Sequence, residues 1–262
     1  MRNYASDPIL GNGLIFDIQF NQVMTDLLAG GGTVYLFDQG PNRIQATCVS
    51  FVAGTWAIET PGVTPIQTID LDGTADYVNL GTGAAFDTIA TTNAMTFEIV
   101  ALPDAIGTDM LMAGYVHGTG GQACYPQMLI NGSGFVEFRP TQDTGVTVSV
   151  VIGSVNITAG TVHHITATFD ESDNIAEILI DGGDTDSALA TIVCANDTLP
   201  TLGAENFYIG TRWNQAIAGG GVGATFENCF DGHIYWARMW NRRLSRRERL
   251  LLYERARTVL GL

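Results

Sequence analysis

The chain has 262 residues, 46% of them hydrophobic and only 15% charged, with 31 glycines and a formal charge of −15. That apolar share supports a real core and excludes intrinsic disorder, and the length suits one large all-β domain or two small ones. All twelve cations are arginine: Arg238–Leu262 holds eight against two glutamates, while the preceding 237 residues hold four against the other 25 acids. An acidic body repels phosphate, so nucleic acid is excluded as a partner for most of the surface.

In chain order, short apolar and alternating runs read as strands separated by turn residues. "GLIFDIQF" (Gly13–Phe20), "TVYLFD" (Thr33–Asp38) and "RIQATCVSF" (Arg43–Phe51) come first. "QTIDLDG", "DYVNLG" (Asp76–Gly81) and "AMTFEIVALP" (Ala94–Pro103) follow, then "MLMAGYV", "PQMLING", "GFVEFRP" and "GVTVSVVIG". The last are "TVHHITATFD" (Thr161–Asp170), "NIAEILIDG" (Asn174–Gly182), "NFYIGTRW" (Asn206–Trp213) and "DGHIYWARMW" (Asp231–Trp240). About a dozen strands at even spacing predict two packed antiparallel sheets, and the lack of βαβ alternation excludes a parallel one. Gln215–Asn228 is glycine-dense and reads as a long loop. One helix is expected, over 245–260: Ser245 with Glu248 forms a capping box, Leu250, Tyr253, Ala256 and Leu260 make an apolar stripe, and Gly261 stops it. Arg246, Arg249 and Arg257 are expected to face elsewhere. In "HIYWARMW", strict alternation puts Ile234, Trp236, Arg238 and Trp240 on one face. No linker or repeat divides the chain, so 1–262 is expected to be one domain.

Four segments, "LDGTADYVNLG" (Leu71–Gly81), "AMTFEIVALP", "TVHHITATFDESDNIAEILIDG" (Thr161–Gly182) and "FDGHIYWARMWNRRLSRRERLLLYE" (Phe230–Glu254), resemble in order and spacing the laminin-G-like branch of the concanavalin A-like lectin/glucanase fold. Residues 1–65 fit that pattern less well, since "DQGPNRIQATCVS" stands where the family has a glycine- and serine-rich turn. The resemblance implies an all-β, two-sheet antiparallel jelly-roll sandwich closed by a C-terminal helix.

Glucanases on this fold set carboxylates at alternate positions of one strand, where they share a face. No such run occurs here; Glu177 and Asp181 come nearest, so the chain is expected to be no enzyme. His163 and His164 are adjacent and structural, while His117 and His233 are isolated. Sugars need an aromatic platform beside polar groups, which Arg212, Trp213 and Asn214 offer at the mouth of the glycine-rich loop, with Tyr115 and His117 on another. The resemblance implies one possible calcium ion, for which Asp70, Asp72 and Asp76 or Asp181, Asp184 and Asp186 are the oxygen donors. Arg242, Arg243, Arg246, Arg247 and Arg249 are the candidate docking arginines for a protein partner. Cys48, Cys124, Cys194 and Cys229 read as buried free thiols, a Cys194–Cys229 bridge being the alternative.

The leading expectation is a non-catalytic virion-surface protein, decorating a capsid or belonging to a tail or fibre, with weak glycan or host-surface contact. It rests on the absence of a signal peptide and of any membrane-length apolar run, together with the fold. Its partners would be virion proteins, glycans or a second copy of itself. The alternative is an extracellular carbohydrate-binding lectin module; a third reading is a divergent glycoside hydrolase acting through Glu177.

Overall fold

The computed structural model describes residues 7, 9–20, 34–50, 56–61, 65–81, 84–115, 126–140, 151–183, 190–193, 206–214 and 225–261. The first strands are β1 (Leu14–Gln19), β2 (Val34–Phe37), β3 (Gln45–Val49), β4 (Trp56–Glu59), β5 (Ile66–Asp72) and β6 (Tyr77–Asn79), followed by helix α1 (Ala84–Thr92). Next come β7 (Ala94–Pro103), β8 (Met110–Tyr115), β9 (Gln127–Ile130), β10 (Phe135–Arg139), β11 (Val151–Asn156), β12 (His163–Asp170) and β13 (Ile175–Ile180). The chain ends with β14 (Ala190–Val193), β15 (Phe207–Ile209), β16 (Arg212–Asn214), β17 (Thr225–Glu227), β18 (Asp231–Trp240) and helix α2 (Arg246–Leu260).

Two eight-stranded sheets form the sandwich. The first runs β14-β13-β12-β7-β18-β5-β4, with β1 also on β18; the second runs β11-β10-β9-β8-β15-β6-β3-β2. β18 is long enough to hold two strands along one edge: Asp231–Ile234 pair with β5 and Trp236–Trp240 with β1. The all-β antiparallel sandwich read from the sequence is therefore the architecture. β16 and β17 form a separate two-stranded ribbon, so "NFYIGTRW" is two strands rather than one. Gly210, at φ 90, turns the chain between them.

The facing sheet surfaces enclose the core. Phe207 lies at its centre, stacked on Phe86 at 5.2 Å and tilted against Phe97 at 5.3 Å and Phe16 at 5.9 Å. Phe86 comes from α1, a helix the sequence reading missed. That segment is nine residues long and, among its described side chains, buries Phe86 and Ile89, too few apolar positions to announce a helical period.

Two expectations about side-chain direction need correction. A bulge between Ile234 and Trp236 shifts the register of β18 on β7. Ile234 thus joins Ala237 and Met239 in the core, while Trp236, Arg238 and Trp240 face outward beneath α2. On α2 the buried side chains are Arg249, Leu252, Ala256 and Leu260. Ala256 and Leu260 of the expected stripe are buried, but Arg249 and Leu252 take the inward places expected of Leu250 and Tyr253, so Arg249 points in rather than out. The capping box is present as read, with Glu248 N–H donating to Ser245 and Ser245 N–H to the Glu248 carboxylate; Gly261 closes the other end at φ 73.

A charged ladder lies between α2 and the first sheet. Register aligns Asp17, Arg238, Glu98 and Thr166 across β1, β18, β7 and β12. Arg238 donates from Nε to Asp17 Oδ1 at 2.6 Å and from Nη1 to Glu98 Oε2 at 2.9 Å. Glu98 Oε1 also accepts from Trp236 Nε1 at 3.1 Å and lies 3.0 Å from His164 Nε2. Burial pushes the Glu98 carboxyl up, but Arg238 and His164 outweigh it and hold the pKa at about 2. The histidine pair is thus structural, as expected: His164 serves Glu98, and His163 Nδ1 lies 2.7 Å from Asp181 Oδ2.

Candidate functional site

Two surfaces carry chemistry beyond what the fold needs. The first is at one rim of the sandwich, where β7, β18, β5 and β4, neighbours in that order, bring Asp104, His233, Asp70 and Glu59 together. His233 pairs with Asp70 and Asp231 with Asp72; residues two apart on a strand share a face, so all four crowd one side. Asp104 arrives directly after β7. Gly232 permits that approach: its φ is 136, and a Cβ there would collide with the Leu102 carbonyl oxygen. His233 Nε2 lies 3.7 Å from Glu59 Oε1 and 3.8 Å from Asp104 Oδ1. One donor atom each from Asp70, Asp104 and His233 falls within 4.8 Å of the others. Burial raises the Asp70 pKa; His233 opposes this, while Asp104, Asp231 and Glu59 add to it. Burial, Asp104 and Asp72 likewise raise Asp231.

Of the expected calcium donors among the described residues, only Asp70 joins this cluster. Asp72 Oδ1 instead accepts the N–H groups of Thr74 at 2.8 Å, Ala75 at 3.0 Å and Asp76 at 3.3 Å; although burial opposes it, those amides hold its carboxyl below the ordinary range. Asp76 is buried. Asp181 Oδ1 accepts from His164 N at 2.8 Å, and its other oxygen faces His163. Asp184 and Asp186 lie outside the described residues. His233, isolated in the sequence, is the node of the rim. Asp104 and Glu59 carried no local motif, because their convergence is a matter of strand order.

The docking arginines divide. Arg242 donates to the carbonyls of Asn12 and Ile9 and to Glu248, Arg243 to Asp173 and Glu177, and Arg249 to Glu177 at 2.6 Å. Arg246 and Arg247 are exposed. The arginine density is therefore in large part a fold device that ties the β18–α2 corner to acidic strands. Glu177, the carboxylate of the hydrolase reading, lies between two guanidiniums; although burial pushes its pKa up, Arg249 and Arg243 hold it down. Cys48 and Cys229 are free and buried; Cys124 and Cys194 lie outside the described residues.

The second surface is the outward face of the second sheet. Register aligns Tyr35, Thr47, Asn79, Tyr208, Gly114, Gln127 and Arg139 in one row across β2, β3, β6, β15, β8, β9 and β10. Tyr77 meets Tyr208 edge-on at 5.7 Å, and Asn206 Nδ2 donates to the Tyr208 hydroxyl at 3.1 Å. Gln127 is fully buried, yet among the described residues neither atom of its amide has a hydrogen-bond partner. Arg139 donates from Nη2 to Glu137 at 2.7 Å, and its Nε has no partner among the described residues. Tyr35 and Phe37 are exposed at the edge of this face. The signal for this row was a polar or aromatic residue at alternate positions of strands whose other positions are apolar, as in "PQMLI" and "NFYIG".

The residues expected to touch a ligand lie elsewhere. Arg212, Trp213 and Asn214 form β16, whose backbone pairs with β17 and follows the rim turn at Gly210 and Thr211. Tyr115 pairs with Phe207, whereas Gly210 N–H donates to the Met112 carbonyl. The two expected groups therefore leave β8 toward opposite ends. Their side chains, and the whole of His117, lie outside what the structure describes.

A laminin-G model described as "Concanavalin A-like lectin/glucanases superfamily" matches residues 72–248. No curated protein matches the chain. Among solved structures, the CBM40 of the Ruminococcus gnavus IT-sialidase bound to alpha2,3 sialyllactose is 13% identical, with a TM-score of 0.56 over 71% of this chain and 96% of that one. The binding domain of botulinum neurotoxin DC in complex with SialylT is 10% identical, with a TM-score of 0.61 over 93% of this chain and 51% of that one. Trypanosoma rangeli sialidase in complex with the inhibitor DANA is 12% identical, with a TM-score of 0.57 over 91% and 32%. At such identities the likeness is one of fold.

Proposed function

Because the chain belongs to the concanavalin A-like lectin/glucanases superfamily, we propose that it is a non-catalytic glycan-binding module whose contact surface is the outward face of the second sheet. The observation that carries this is the row of aromatic, amide, hydroxyl and guanidinium groups on that face, which is exposed at Tyr35 and holds the buried Gln127 amide, without a hydrogen-bond partner among the described residues. A buried amide without partners costs about 1–3 kcal/mol, and a sugar hydroxyl, which both donates and accepts, satisfies it. Tyrosines alongside suit the C–H faces of a pyranose. Two of the similar folds are bound to alpha2,3 sialyllactose and in complex with SialylT, and Arg139 at the end of the row suits an acidic sugar, so sialyllactose is the first probe.

The test is a glycan array followed by calorimetry on the best binder. Gln127→Met removes the amide at nearly constant volume, and Tyr208→Phe keeps the ring. Each is expected to weaken binding about tenfold or more while leaving the melting temperature within a few degrees. Equal affinity in both variants, or no binding on the array, ends this reading. The finer setting proposed is a virion surface, held there by exposed groups such as Arg246 and Arg247; stoichiometric presence of the chain in purified particles is its test, and absence returns the extracellular lectin reading.

A further inference from the structure

We propose that Asp104, His233, Asp70 and Glu59 form a binding site for one first-row divalent transition ion, with zinc as the reference case, and that this rim does not select calcium. The inference stands apart from the glycan reading, since the site is on the first sheet and the sugar face on the second.

The donor set decides the metal. Calcium takes six to eight oxygens, whereas imidazole suits zinc, copper, iron and nickel. Here the nitrogen is central: His233 Nε2 faces Glu59 at 3.7 Å and Asp104 at 3.8 Å, with Asp70 in the same cluster. Zinc bonds of about 2.0–2.1 Å set tetrahedral ligand atoms about 3.4 Å apart, so the donors of Asp70, Asp104 and His233, within 4.8 Å of one another, close on an ion by drawing together by about an ångström. The imidazole is also held as a ligand is held. His233 Nδ1 lies 3.4 Å from Thr68 Oγ1, a wholly buried group. With Nδ1–H donating there, the Nε2 lone pair is left for the cluster.

The arrangement is also accessible: the Asp104 side chain is 45% exposed and that of His233 is 12% exposed, which leaves an entry path from solvent.

The test uses the full chain without a histidine tag, stripped with EDTA. Zinc chloride is titrated against a chromogenic chelator, cobalt(II) is added as a spectroscopic probe, and calcium chloride serves as competitor. About one zinc per chain is expected, with a tetrahedral cobalt spectrum that millimolar calcium does not reduce. His233→Gln and the exposed Asp104→Asn are each expected to weaken zinc at least tenfold, and Thr68→Val about tenfold. Binding of much less than one equivalent, displacement by calcium, or zinc affinity unchanged in both His233→Gln and Asp104→Asn would overturn the proposal.

Discussion

Replacing Arg238 by methionine isolates the ladder under α2. Methionine keeps the length of the side chain and part of its contact with Trp236, but it leaves Asp17 and Glu98, both with fully buried side chains, without their cation. Two charge-assisted hydrogen bonds, at 2.6 and 2.9 Å, are lost; at about 1.5–3 kcal/mol each they sum to about 3–6 kcal/mol. Breaking one partner of a buried pair costs about 3–5 kcal/mol by an independent measure, so a loss of about 4 kcal/mol is expected in urea denaturation at pH 7. The triple variant Asp17→Asn, Glu98→Gln, Arg238→Met carries no buried charge in the ladder and is expected to recover most of that loss. The pH dependence has a definite sign. Glu98 has a depressed folded pKa of about 2, so its contribution is complete above the ordinary carboxylate value and is lost as pH falls toward 2. Asp17 works the other way, because burial outweighs Arg238 and raises its pKa. The gap between wild type and Arg238→Met is therefore expected to narrow as pH falls, beginning above the ordinary carboxylate value, because the buried carboxyls left without their cation take up protons there. A loss under about 1 kcal/mol at pH 7, or a triple variant as unstable as the single one, would refute this reasoning.

Ser245→Ala removes half of the capping box and is expected to cost about 1 kcal/mol, read as a lower urea midpoint at unchanged slope. Gly182→Ala is expected to cost more, about 1–3 kcal/mol, since the residue sits at φ 76 with the Tyr253 ring where a Cβ would go; a neutral result would mean that α2 shifts freely. Asp104→Asn in EDTA is expected to raise the melting temperature slightly at pH 7, because Asp104 adds to the raised pKa values of Asp70 and Asp231. That gain should fade as pH falls through the carboxylate range, where the repulsion is neutralised in wild type as well. Burial pushes the Cys48 thiol up to about 12, so peptide mapping after thiol labelling at pH 8 should find Cys48 modified only in the unfolded chain.

The strands were legible because each carries its own period, and "HIYWARMW" or "TFEIVA" reads as sheet in isolation. α2 was legible because Ser245, Glu248 and Gly261 are local signals. What failed was direction: one extra residue in β18 moved Ile234 into the core, and one step around α2 turned Arg249 inward. Both are a single increment of register, which local periodicity does not record and packing against the opposite surface enforces. α1 failed for another reason, its nine residues being held by the space around Phe207 rather than by their own pattern.

By itself the amino-acid order determined a family-typical antiparallel sandwich closed by a capped helix, since turn chemistry, two-residue alternation and caps act over a few neighbours. Only the tertiary structure decided which polar groups meet. Glu59, Asp70, Asp104 and His233 span 175 residues of chain, and Tyr35 and Arg139 stand at opposite ends of one row. Such encounters depend on strand order across a sheet, and that order is set by the burial of both faces at once, a condition that no single segment contains.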